Sequence, residues 1–86
     1  MRTIDLLDRA VSKAKSERSL ALELGLAPTA LSTARSRGKL STAIAVVLAQ
    51  REGEDVTQWA IQAVEENEKS DPLRRKLAAI RSALKS

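Results

Sequence analysis

With 86 residues and a formal net charge of +4, the chain has material for one domain and not two. Its core must be thin, since a chain this short buries only ~60–65% of its unfolded surface, and a partner subunit would add buried area. Cysteine and histidine are both absent, which excludes a disulfide framework, thiolate metal sites and the commonest general base and metal ligand.

No apolar run approaches the roughly 18–20 residues that span a bilayer. Asp5, Asp8 and Arg9 interrupt any secretory pattern at the start. A cytoplasmic protein without membrane contact and without a cofactor is therefore expected. Trp59 is the single aromatic residue, and Ala, Leu, Ile and Val supply nearly all the remaining apolar content. Together with abundant Glu, Lys, Arg and Gln, this composition favours helix and predicts an all-α fold.

The charge is segregated. Residues 1–51 carry nine Lys/Arg against four Asp/Glu; residues 52–71 carry one against seven; residues 72–86 carry five and no acid. A basic first half suits a polyanion, and the acidic stretch is expected to face away from one.

Gly25, Pro28, Gly38, Gly53 and Pro72 cut the chain into helical pieces. The first is predicted from about Thr3 to Lys15, with Thr3 as N-cap, Asp5 at the positive end of the dipole, and Ile4, Leu7, Val11 and Ala14 as its apolar stripe. The second runs from Glu17 to Leu24, capped by Ser16 and stopped by Gly25, with Leu20, Ala21 and Leu24 inward. The third begins at Pro28, a favourable first helical position, and stops at Gly38. The fourth, Thr42 to Arg51, is capped by Ser41. Its Ala43–Ala49 run is apolar nearly all round, which predicts a central buried helix. The fifth, Val56 to Lys69, is capped by Asp55. Val56, Trp59, Ala60, Ala63 and Val64 face inward, and Glu65, Glu66 and Glu68 oppose the dipole at an end expected to fray. Asp71 and Pro72 then restart a helix as cap and first residue. Leu73, Leu77, Ile80 and Leu84 form a seam of about two heptads, fit either to pack back on the body or to pair across a dimer axis.

Two helices meeting steeply need a small residue at their approach, a glycine in the turn and apolar residues on both inner faces. The stretch Glu17 to Gly38 supplies these: Ala21, then Gly25 four residues on, then Leu26, Leu31 and Ala34. On these residues the chain resembles the helix-turn-helix of the lambda-repressor-like (Cro/CI-type) family of phage regulators. The resemblance covers about Thr3 to Glu68. It implies a compact five-helix DNA-binding bundle over residues 1–69, with residues 70–86 as an added C-terminal helix and possible dimerisation element. Three positions depart from the family pattern. Glu17 stands where a glutamine often contacts phosphate, Ala27 precedes Pro28 where a capping serine or threonine is usual, and Gly38 closes the third helix one residue late.

At 100° per residue, Leu31 and Ala34 define the buried side of the third helix. Thr29, Ser32, Thr33 and Ser36 then fall opposite, with Arg37 at the edge. The resemblance implies that this face reads bases in the major groove. Hydroxyls can donate to or accept from any base, and threonine methyls can meet thymine methyls. Arg18, Arg35 and Lys39 flank the motif as phosphate candidates, and Arg9, Lys13 and Lys15 could extend that patch or be plain solvated surface. Trp59 is expected in the core or an interface, since one aromatic makes no stacking platform.

Taken with the resemblance, these features predict a repressor of phage or prophage type that binds double-stranded DNA at a palindromic operator as a homodimer. The length leaves no room for a self-cleavage domain, so release by an antirepressor protein is expected. The competing class is an antitoxin-like interaction module whose acidic 52–71 segment neutralises a basic partner. An enzyme is not expected, because no nucleophile–base pair can be assembled.

Overall fold

The computed structural model describes residues 2–85; Met1 and Ser86, which belong to the segments expected above, lie outside the described residues. Six helices follow one another: α1 Thr3–Lys13, α2 Glu17–Glu23, α3 Ala30–Arg37, α4 Thr42–Arg51, α5 Val56–Asn67 and α6 Asp71–Lys85. No strand occurs among the described residues, so the fold is all-α.

Local chemistry sets most of the boundaries. Ser16 Oγ accepts from the Ser19 N–H at 3.0 Å, Ser41 Oγ from Ile44 at 3.3 Å, and the Asp55 carboxylate from Gln58 at 3.0 Å. Each satisfies one of the orphan donors at a helix start, worth about 1 kcal/mol. At the other end of α2, Gly25 has φ +76°, the Leu26 N–H reaches back to the Ala21 carbonyl at 2.9 Å, and the Gly25 N–H reaches Leu22 at 3.0 Å. That is the paired-bond stop that a left-handed residue permits.

The core gathers Leu6, Leu7 and Ala10 of α1, Leu20 and Ala21 of α2, Leu31 and Ala34 of α3, Leu40, then Ala45, Leu48 and Ala49 of α4, and Trp59 and Ala63 of α5. Six leucines in this set are fully buried, and each contributes about 1.5–3 kcal/mol by leaving water. α4 and α5 pack closely, α1 lies across both, and α2 and α3 pair at one side. α6 lies along α5 and adds no residue to the buried core. The molecule measures 37 × 25 × 18 Å, with a radius of gyration of 13.0 Å, above the ~12 Å of an even globule of this length.

Several expectations are corrected. Thr3 does not cap α1 from outside. It lies inside the helix, fully buried, with Arg2 at the cap position, and the Asp5 carboxylate accepts the Arg2 N–H at 2.9 Å. α1 buries the Thr3–Leu6–Leu7–Ala10 face, while Ile4, Val11 and Ala14 are only partly covered. α1 ends at Lys13 rather than Lys15. α3 starts two residues after Pro28, because Ala27 and Ala30 first close a turn. α4 is buried on one side only: α1 and α5 cover that side, and Val47 remains 45% exposed. Val64 of α5 is also exposed. α6 begins one residue earlier than expected, with Ser70 Oγ accepting from the Leu73 N–H at 3.4 Å, so Asp71 lies inside the helix.

The end of α5 is pinned rather than frayed. Glu66 takes the Thr3 N–H at 2.7 Å on one oxygen and the Thr3 hydroxyl at 2.5 Å on the other. The Thr3 hydroxyl oxygen in turn accepts the Leu40 N–H at 2.9 Å. Asn67 Nδ2 bridges the Leu40 and Ala63 carbonyls at 2.9 and 2.8 Å. Buried polar groups of this kind are costly unless satisfied, and here each has a partner. The knot ties the start of α1 and the end of α5 to the loop that leaves α3.

Candidate nucleic-acid interface

α3 owes its position to a short list of constraints. Leu31 and Ala34 anchor it in the core, and its extensive helix packing is with α2. A Cβ built on Gly25 would meet nothing within 4 Å, so the turn demands glycine for its φ and not for space. At its far end Gly38 also has φ +76°, and Arg2 Nη2 donates to the Gly38 carbonyl at 3.0 Å. Both ends of α3 are thus fixed while its outer side is left uncovered.

On that outer side Thr29, Ser32, Thr33, Ser36 and Arg37 are all exposed. The five residues expected to read bases therefore share one solvent face. Thr29 occupies the N-cap position of α3, but its side chain makes no capping hydrogen bond. Thr33 Oγ1 donates to the Thr29 carbonyl at 3.0 Å. The Thr33 proton is therefore committed to the backbone, and what it offers outward is a lone pair and a methyl group. Those suit an amino group or a thymine methyl on a base edge.

The flanking cations differ in how far they are already engaged. Arg18 on α2 and Arg37 on α3 are exposed and have no ion pair or side-chain hydrogen bond among the described residues. Lys39 is half-buried, with Nζ 3.5 Å from the Glu66 carbonyl. Arg35 is held by two carboxylates: Nε donates to Glu17 at 2.7 Å and Nη1 to Asp8 at 2.7 Å. These bonds, Glu17 foremost, raise its pKa above the ordinary arginine value. Arg35 thereby links α1, α2 and α3 through one guanidinium.

That bracing role is missing from the sequence expectation, which gave Arg35 a phosphate contact alone. A signal for it was present: the acid at Glu17 departs from the glutamine of the family pattern, and a carboxylate there supplies the partner that an arginine on the next helix needs.

The other basic residues of α1 face the acidic segment. Arg9 pairs with Glu54 at 3.0 Å and sits 5.8 Å from the Trp59 ring centroid, and Lys13 Nζ lies 2.9 Å from the nearly buried Glu52. Trp59 is core, 5% exposed, with Nε1 donating to Glu54 at 3.4 Å. All seven acids of 52–71 have partners inside the chain. Glu52, Glu54, Glu65 and Asp71 pair with cations, Asp55 caps α5, Glu66 holds Thr3, and Glu68 accepts two backbone N–H groups. No helix among the described residues is long and apolar enough to cross a membrane.

Comparison with family models, with curated proteins and with solved structures returned no match for the chain.

Proposed function

We propose that the chain is a sequence-specific double-stranded-DNA-binding repressor of phage or prophage type, built on a lambda-repressor-like helix-turn-helix. In this reading α3 enters the major groove. Thr29, Ser32, Thr33, Ser36 and Arg37 meet base edges, and Arg18, Arg35 and Lys39 meet phosphates. Two copies occupy a palindromic operator, since one eight-residue helix reads only one half-site. An antirepressor protein would release it.

One observation carries the reading. α3 is anchored on one side by Leu31 and Ala34 and bare on the other, where hydroxyls and a free arginine share the surface and Arg18 stands on the neighbouring helix. The antitoxin-like alternative asks for free carboxylates in 52–71, and those carboxylates are already engaged within the chain.

Selection of bound sequences from a random duplex library tests the proposal. A repressor enriches one motif with two-fold symmetry and half-sites about one helical turn apart. Enrichment of no motif, with binding that disappears uniformly as salt rises, rejects it.

A further inference from the structure

α6 offers a second uncovered face with different chemistry. Its seam is split by packing: Leu77 is half-buried, whereas Leu73, Ile80 and Leu84 remain 48%, 48% and 49% exposed. The helix is fixed to α5 from one side, where Arg81 Nε donates to Glu65 at 2.8 Å and Gln58 Nε2 donates to the Arg81 carbonyl at 3.3 Å. The opposite edge carries Arg75 and Lys76, both exposed and without an ion pair among the described residues.

In heptad register, Leu73 and Ile80 are d positions and Leu77 and Leu84 are a positions. Arg74 and Arg81 then fall at e, and Lys76 at g. The e and g charges choose the partner of such a seam. A parallel second α6 would set Lys76 against Arg81, and an antiparallel one would set Arg74 against Arg81. Either arrangement opposes like charges. DNA phosphates would match the cations but offer nothing to three half-exposed aliphatic side chains. A membrane surface rewards aromatic and larger apolar faces, whereas this face has no aromatic residue and has Glu65, Glu68 and Asp71 close by in the chain.

We propose that the outer face of α6 is a docking site for an acidic amphipathic helix of another protein. The partner's apolar stripe would cover Leu73, Ile80 and Leu84, and its flanking carboxylates would meet Arg75 and Lys76. The exposed stripe runs eleven residues, about 16 Å along the axis, so about three turns of partner helix would suffice. The proposal is independent of the DNA reading, because none of these residues belongs to the α2–α3 surface.

The test uses the intact chain and a labelled three-heptad peptide with leucine at a and d and glutamate at e and g, followed by fluorescence anisotropy. The Leu/Glu peptide is expected to bind in the micromolar range, as small interfaces do. The same peptide with lysine at e and g is expected not to bind. Arg75→Glu with Lys76→Glu, both fully surface changes, should weaken binding about tenfold or more, and Ile80→Glu should do the same. The proposal is overturned if neither peptide binds, if both bind equally, or if the charge reversals have no effect. It is also overturned if sedimentation shows a dimer that Ile80→Glu dissolves, or if anionic phospholipid vesicles capture the chain more tightly than the Leu/Glu peptide.

Discussion

α3 and α6 are the two helices of this molecule with an uncovered side, and they show how similar charge can serve different partners. Each rests on one neighbour, α3 on α2 and α6 on α5. Each borders cations without an ion pair, Arg18 and Arg37 in one case and Arg75 and Lys76 in the other. They differ in what lies between those cations. On α3 it is hydroxyls, which lose little when they exchange water for a polar base edge; on α6 it is half-exposed leucine and isoleucine, which gain only against another apolar surface. α3 is also anchored by two buried residues, whereas α6 buries none fully.

The largest expected effect separates the two faces by equal changes of charge. Arg18→Glu with Arg37→Glu should lower affinity for duplex DNA by roughly 100-fold at low salt and flatten the salt dependence by about two contacts' worth. Arg75→Glu with Lys76→Glu alters net charge by the same amount and should change DNA affinity by less than about threefold at 0.1–0.2 M salt, where fields beyond roughly 10 Å are screened. Equal losses in gel-shift titrations would mean that net charge alone drives binding, and the assignment of α3 would fall.

Removal of α6 asks whether residues 1–69 form the self-sufficient unit that the sequence predicts. A chain ending at Ser70 should remain helical and cooperative in urea, with about 1–3 kcal/mol less stability from the uncovered flank of α5, and should keep its DNA affinity. A truncated chain that fails to fold would show that α6 is part of the core in energetic fact, despite burying no side chain completely.

Next in size is specificity. Thr29→Ala with Thr33→Ala should cost about tenfold on the selected operator and leave affinity for unrelated duplex unchanged. Both residues are exposed, and the one bond lost is Thr33 to a backbone carbonyl already within the helix, so stability should move by less than ~0.5 kcal/mol. Equal loss on both duplexes would remove these hydroxyls from the reading face.

What was legible in the chain was what is decided within a turn of helix. Ser16, Ser41 and Asp55 cap as their positions suggest, because a cap needs only a side-chain oxygen and an N–H three residues on. Gly25 and Gly38 stop their helices because a left-handed φ is a local demand. Leu31 and Ala34 are buried as the helical period requires. The rotation of α1 was not legible. Two rows share Leu7, and the row that is buried was chosen by Glu66, 63 residues from Thr3, whose carboxylate draws the Thr3 side of the helix inward. Periodicity carries no information about such a partner. Exposure of Val47 escaped for the same reason, since an apolar run says how much could be buried and not how many neighbours will cover it.

The smallest predicted effect tests the one residue shared between scaffold and interface. Arg35 is held by Glu17 and Asp8, and its side chain is 41% exposed, so solvent screening limits each pair to less than about 1 kcal/mol. Glu17→Gln keeps the shape of the side chain but removes the stronger of the two interactions that raise the Arg35 pKa. Stability should fall only slightly. DNA affinity should rise about two- to threefold, with a steeper salt slope, because a guanidinium relieved of one carboxylate is freer to meet phosphate. If Glu17→Gln instead weakens binding, Arg35 acts on DNA chiefly by holding α3 at its angle to α1 and α2, and the carboxylates are supports for the reading helix rather than competitors for its charge.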